Sequence, residues 1–140
     1  AELLEDIYAQ ALEEKVPGSE FGIGTKENTI LEEWGSPSSI SESSMNTKVI
    51  SYTDHDISFY IKNGILVRSD LKTDLSSLDA QCVDDFMESK GLHWIYCRSD
   101  RAAVMYEPLD REPREGLFFD FNKNTVIVGQ ISSIGNFLVN

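Results

Sequence analysis

The sequence predicts an α+β fold: tandem helix–antiparallel-meander repeats forming a curved sheet, with helices packed on one face. Three observations carry this. Apolar residues recur at helical spacing in three segments, each closed by a stop signal. Short alternating runs separated by Asn-, Asp- and Gly-bearing turns follow the second and third of these segments. The two halves of the chain also share a weak internal similarity.

Residues 2–14, ELLEDIYAQALEE, place Leu3, Leu4, Ile7, Tyr8, Ala11 and Leu12 on one helical stripe with acids opposite. Pro17-Gly18 turns the chain. A second helix is predicted from Thr25, read as its N-cap, with Ile30, Leu31 and Trp34 as the buried face. Gly35 and Pro37 stop it. Gly22 and Gly24 lack the third glycine, the preceding strand and the basic residue of a phosphate-cradling loop, so they read as connectors.

Residues 38–46 read as a serine-rich loop, and strands are predicted at 48–53, 57–62 and 65–70. Asn63-Gly64 between apolar runs is the strongest hairpin signal in the chain. A third helix is predicted over 77–90, capped by Ser76 or Ser77, with Leu78, Cys82, Val83, Phe86 and Met87 on its buried side. Strands at 93–99, 102–107, 117–122 and 125–132 complete the pattern, and residues 134–140 are read as a further short edge.

The internal similarity has two parts. Thr25, Ile30, Leu31 and Trp34 match Ser77, Cys82, Val83 and Phe86 in type and spacing, and residues 59–64 match residues 119–124. The insertion PLDREPRE at 108–115 accounts for the different offsets. The expectation is one domain, with residues 1–74 as a first repeat carrying the leading helix and residues 75–140 as a second.

Composition narrows function. The chain has 140 residues, 41% apolar and 26% charged, as a soluble globular domain does. A net charge of −12 argues against a nucleic-acid groove or an anionic lipid surface, which need clustered positive charge. No apolar run approaches the ~18 residues of a membrane span, so no membrane insertion is expected. The chain starts at Ala1 rather than Met, and a secretion signal removed ahead of it is the expectation.

The run LLEDIYAQALEEKVPGSEFGIGTKENTILEEWGSP, followed by SYTDHDISFYIKNGILVRSD, resembles the YjgB-type family of uncharacterised secreted proteins of Gram-positive bacteria. The resemblance covers the first half closely and the second in outline, because Lys90-Gly91-Leu92 lacks the G-x-P stop. More remotely, the tandem plan is similar to the β-lactamase-inhibitor-protein architecture, of which the SmpA/OmlA outer-membrane lipoproteins share one copy. The resemblance implies a secreted or surface-exposed, non-enzymatic binding protein without a cofactor. The inhibitor's partner-binding residues do not map onto this chain, so lactamase inhibition does not follow.

Candidate chemistry is sparse. Cys82 and Cys97 are the only cysteines; in an exported chain they are read either as a disulfide or as two buried thiols. A Cys82/His93 nucleophilic pair lacks an orienting third group. Asp54-His55-Asp56 carries metal-ligand types, but three adjacent residues rarely converge on one ion, and a solvated turn is the better reading. Asp84 and Asp85 are placed on an exposed helix face.

The binding residues expected are Trp94, Tyr96 and Arg98, sent by alternation to the sheet face away from the helices, with Tyr60 and Tyr106 extending the patch. Arg111, Glu112, Arg114 and Glu115 form a charged loop and a candidate recognition loop. The function expected is an exported, non-catalytic interaction module that presents a concave sheet face to a protein or cell-wall partner. A small hydrolase or ligand-binding protein using acids near that face is the alternative.

Overall fold

The computed structural model describes residues 2–43, 46–91, 94–98, 100–105 and 115–134, and the side chains of 94–98 and 103–105 fall outside that description. Among the described residues, three helices, α1 (Glu2–Ala11), α2 (Glu27–Trp34) and α3 (Ala80–Ser89), accompany eight strands. These are β1 (Ser39–Ser43), β2 (Thr47–Tyr52), β3 (Ile57–Lys62), β4 (Ile65–Lys72), β5 (Trp94–Arg98), β6 (Arg101–Met105), β7 (Glu115–Asp120) and β8 (Thr125–Gln130). The fold is α+β, with one antiparallel sheet ordered β1-β2-β3-β4-β8-β7-β6-β5. Each half runs as a helix followed by a four-strand meander, and the two meanders meet edge to edge through β4 and β8.

One sheet face is sealed by the helices. Ile50 and Tyr52 of β2, Phe59 of β3, Leu66 and Leu71 of β4, Val126 and Val128 of β8, and Phe119 of β7 share one core with Ile7, Ile30, Val83 and Met87 from the helices. Each fully buried side chain of this size contributes about 1.5–3 kcal/mol. Helix α1 ties the halves together: Tyr8 meets Phe86 of α3 edge-on at 5.6 Å. Lys90 lies over both rings and 3.7 Å from Glu5.

The first-half motifs have physical causes. Trp34, from the W-G-S-P stop, packs against Phe21, Tyr52 and Phe59, stacks on His55 at 3.8 Å, and donates its indole N–H to Glu20 at 2.9 Å. Gly35 (φ 77°) closes α2 with its N–H on Leu31, and its carbonyl accepts the Tyr52 hydroxyl at 2.8 Å. Asn63 and Gly64 both take positive φ (54° and 77°), as a two-residue hairpin turn requires.

Several local expectations are corrected. Residues 39–43 are not loop but edge strand β1, paired in register with β2, because backbone pairing overrides a serine-rich composition of weak β-propensity. Helix α1 ends at Ala11, before Leu12, which is 56% exposed. Thr25 does not cap α2: its hydroxyl donates to the Gly22 carbonyl, and the Gly64 carbonyl accepts the Glu27 N–H at the helix start.

Helix α3 is capped by Asp79, whose carboxylate accepts the Cys82 N–H at 2.8 Å, rather than by Ser76 or Ser77. Ala80, Val83 and Met87 are the buried residues of the helix, so Val83 and Met87 turn inward as expected and Cys82 does not. Cys82 is therefore exposed and a free thiol, not on the buried side and not in a disulfide. Asp85 is exposed, as expected, and Asp84 is half-buried.

Candidate functional site

The sheet face opposite the helices carries the polar chemistry. In β4 the sequence ILVRSDLK cannot satisfy both faces by strict alternation, since Leu66, Ser69 and Leu71 all face the helices. A bulge resolves this: Tyr60 pairs with Arg68 but Ile61 pairs with Leu66, leaving Val67 as the extra residue. The bulge sends Arg68 and Asp70 to the second face.

There Arg68 is fixed on three sides. Its Nε and Nη2 donate to the two Asp70 carboxylate oxygens at 2.7 and 2.8 Å, and its Nη1 donates to the Ser133 carbonyl at 3.1 Å. Its guanidinium lies 4.1 Å from the centre of the Tyr60 ring. Burial pushes the Asp70 carboxyl above its ordinary range despite the opposing pull of Arg68; burial also pulls Arg68 down, but Asp70 and Tyr60 together outweigh it and leave the guanidinium raised. Burial, followed by Asp70, raises the Tyr60 phenol.

This cluster borders a depression of about 390 Å³ that Arg101, Asp120, Lys123 and Thr125 also line. Asp120 accepts the Lys123 N–H at 3.1 Å, which fixes the β7–β8 turn. A second depression, about 170 Å³, lies between Tyr60, Lys62, Thr47 and Ser133. Cross-strand register adds a row of hydroxyls: Ser39 pairs with Ser51, and Ser51 with Ser58, their Oγ atoms 2.9 Å apart in the latter pair. Over β7 and β8 the same face is closed by Phe118 and Ile127 packing under Ile131 and Ile134 of a short 3₁₀ turn.

Charge divides sharply between the two layers. Helix α1 carries Glu2, Glu5 and Asp6, α2 carries Glu27, Glu32 and Glu33, α3 carries Asp84, Asp85 and Glu88, and no helix carries a Lys or Arg. On the second sheet face, register and the lining of the depressions place Lys62, Arg68, Lys72 and Arg101, with Asp70 and Asp120. The overall −12 therefore hides an uneven distribution, with nine of the acids on the helices and cations in excess among these sheet-face residues.

Of the residues expected from sequence, Tyr60 stands on this face, half-buried. Tyr96 pairs with Ala103 and Arg98 with Arg101, but a register shift between Trp94 and Tyr96 breaks the unbroken alternation from which Trp94 was placed. Tyr106, His93, Arg111, Glu112 and Arg114 lie outside the described residues, and nothing of the Cys97 side chain is described. Glu115 opens β7. Asp54-His55-Asp56 is a turn, and among the described residues no three His, Cys, Asp or Glu side chains group to hold a metal. Sequence reasoning missed Arg68, Asp70, Arg101 and Asp120; the polar i, i+2 pair inside an apolar strand was the available signal.

Among the described residues no helix is long and apolar enough to cross a membrane. No curated protein and no solved structure matches the chain. The model of one family, described as "Domain of unknown function (DUF4309)", matches residues 4–106, which run from α1 to the end of β6, and the chain belongs to that family.

Proposed function

We propose that this chain is an exported, non-catalytic interaction module that binds a protein or cell-envelope partner through the sheet face opposite its helices. The observation that carries the reading is the Tyr60–Arg68–Asp70 cluster: a preorganised, largely buried polar group bordering shallow depressions on the one face the helices do not cover. The doubled order of helix and four-strand meander supports a duplicated unit and a broad curved platform. It also agrees with the YjgB-type resemblance, from which the secreted location is inferred.

The alternative, a small hydrolase or ligand-binding protein using acids near the sheet, gains one observation, since Asp70 and Asp120 line the same depression. Both Asp70 oxygens accept from Arg68, and an Asp120 oxygen accepts a backbone N–H. Carboxylates engaged in this way favour binding over proton transfer.

The test is capture from culture and cell-wall fractions of the source organism. Tyr60→Ala and the Trp94→Ala/Tyr96→Ala pair should lose captured material that a helix-face variant, Glu32→Lys, retains. Equal capture by all of them contradicts the reading. Detection of the protein only in the cytoplasm contradicts export.

A further inference from the structure

We propose that the ligand of the second sheet face is an acidic, hydroxyl-rich polymer, a glycan bearing carboxylate or phosphate groups. This deepens the reading above and rests on it. Four features point to that chemistry.

The first is charge complementarity. Lys62, Arg68, Lys72 and Arg101 project from the sheet and Lys123 stands at the end of the same face, outnumbering the Asp70, Asp120 and Asp56 that line the same depressions, whereas the helices carry nine acids and no base. A polyanion is repelled by one layer and attracted by the other, so the charge pattern orients it. The second is the hydroxyl row Ser39, Ser51 and Ser58, which opens onto a depression of about 290 Å³ lined also by Thr53, Lys72 and Asp56. Hydroxyls beside cations suit a ligand that offers both hydroxyl and anionic groups.

Third, the large exposed apolar side chains among the described residues are Leu12 and Ile40, and neither lines these depressions, whereas protein interfaces centre on buried apolar and aromatic anchors. Fourth, the three depressions bordered by the described residues are open to solvent and spread along the sheet, which fits an extended chain better than a compact small molecule. The net charge of −12 also works against indiscriminate binding of polyanions, so measured binding reports on local arrangement.

The probes are polygalacturonate for carboxylate, phosphomannan for phosphate, and neutral dextran, titrated by calorimetry at low and at physiological ionic strength. The variants are Lys62→Glu/Lys72→Glu/Lys123→Glu and, on the helix side, Lys26→Glu, with thermal unfolding of each recorded alongside. The expected result is binding to at least one acidic polymer, weaker at higher salt and about tenfold or more weaker in the triple variant. Lys26→Glu and dextran should show no loss and no binding, respectively. Absence of binding to both acidic polymers, equal binding of dextran, or binding untouched in a folded triple variant overturns the proposal. If the acidic polymers fail but the triple variant loses an envelope protein that the wild type captures, the glycan chemistry falls and the sheet-face reading stands. If the triple variant also captures that material unchanged, both fall.

Discussion

Arg68 and Asp70, two residues apart on β4, form a two-pronged ion pair on the sheet face away from the helices, with side chains only 14% and 16% exposed. The pair exists because the Val67 bulge takes both residues out of the core register. It also anchors the chain after β8, through the Arg68 contact to the Ser133 carbonyl.

Removing one partner strands the other. Arg68→Ala should destabilise the fold by about 3–5 kcal/mol, whereas Arg68→Met combined with Asp70→Leu should cost clearly less, measured by urea unfolding. The pH dependence has a definite sign. Without Arg68, the Asp70 carboxyl rises further above its unfolded value, because burial already raises it and the lowering partner is gone. A raised carboxyl contributes fully below its unfolded pKa of about 3.9 and loses that contribution as pH climbs through its folded value. The Arg68→Ala deficit should therefore be smallest near pH 4 and grow toward neutrality; a deficit independent of pH contradicts this.

Ser69 faces the helical core fully buried, and its hydroxyl has no hydrogen-bond partner. Ser69→Ala should raise stability by about 1 kcal/mol, because it removes an unsatisfied buried group at the cost of one atom's packing. A destabilised variant would mean that the hydroxyl is satisfied in solution.

Gly129 pairs with Arg68 across the β4–β8 seam. A Cβ there would lie 2.8 Å from the Arg68 Cβ and 2.9 Å from the Val67 carbonyl oxygen. The position is closed by contact and not by backbone dihedrals. Gly129→Ala should cost about 1–3 kcal/mol and loosen the seam, visible as faster amide exchange at Val128 and Ser69.

Asp79 caps α3, and its hydrogen bond from the Cys82 N–H lowers its carboxyl below the ordinary value. A lowered carboxyl stabilises above its unfolded pKa and stops doing so as pH falls through its folded one. Asp79→Ala should therefore lower Tm at pH 7 by about 2–4 °C, and the gap to wild type should narrow as pH falls below the ordinary carboxyl value of about 3.9. A constant gap across that range would show that the cap acts without its charge.

What the sequence disclosed follows from how locally each feature is encoded. The W-G-S-P stop, the Asn63-Gly64 hairpin and the periodicity of residues 2–11 depend on near neighbours, and they reappear in the structure. Strand β1 was hidden because its serines and Glu42 are poor strand formers held by pairing with β2. The Asp79 cap was hidden because three residues within four positions, Ser76, Ser77 and Asp79, offer capping side chains, and only the turn at Leu75–Leu78 selects among them. Tyr60 was legible as an alternating aromatic. Its partners were harder to read, since the only mark the bulge leaves is the polar pair Arg68 and Asp70 inside an otherwise apolar strand. Net charge says nothing of distribution for a related reason: it adds together surfaces that the fold separates.

The most direct test is a backbone amide NMR titration of the folded chain with soluble material from the cell wall. Shifts concentrated on residues 58–62, 68–72 and 123–130, with α1 to α3 unmoved, are expected if the sheet face receives the ligand. Shifts confined to the helices, or none at saturating concentrations of captured material, would contradict it.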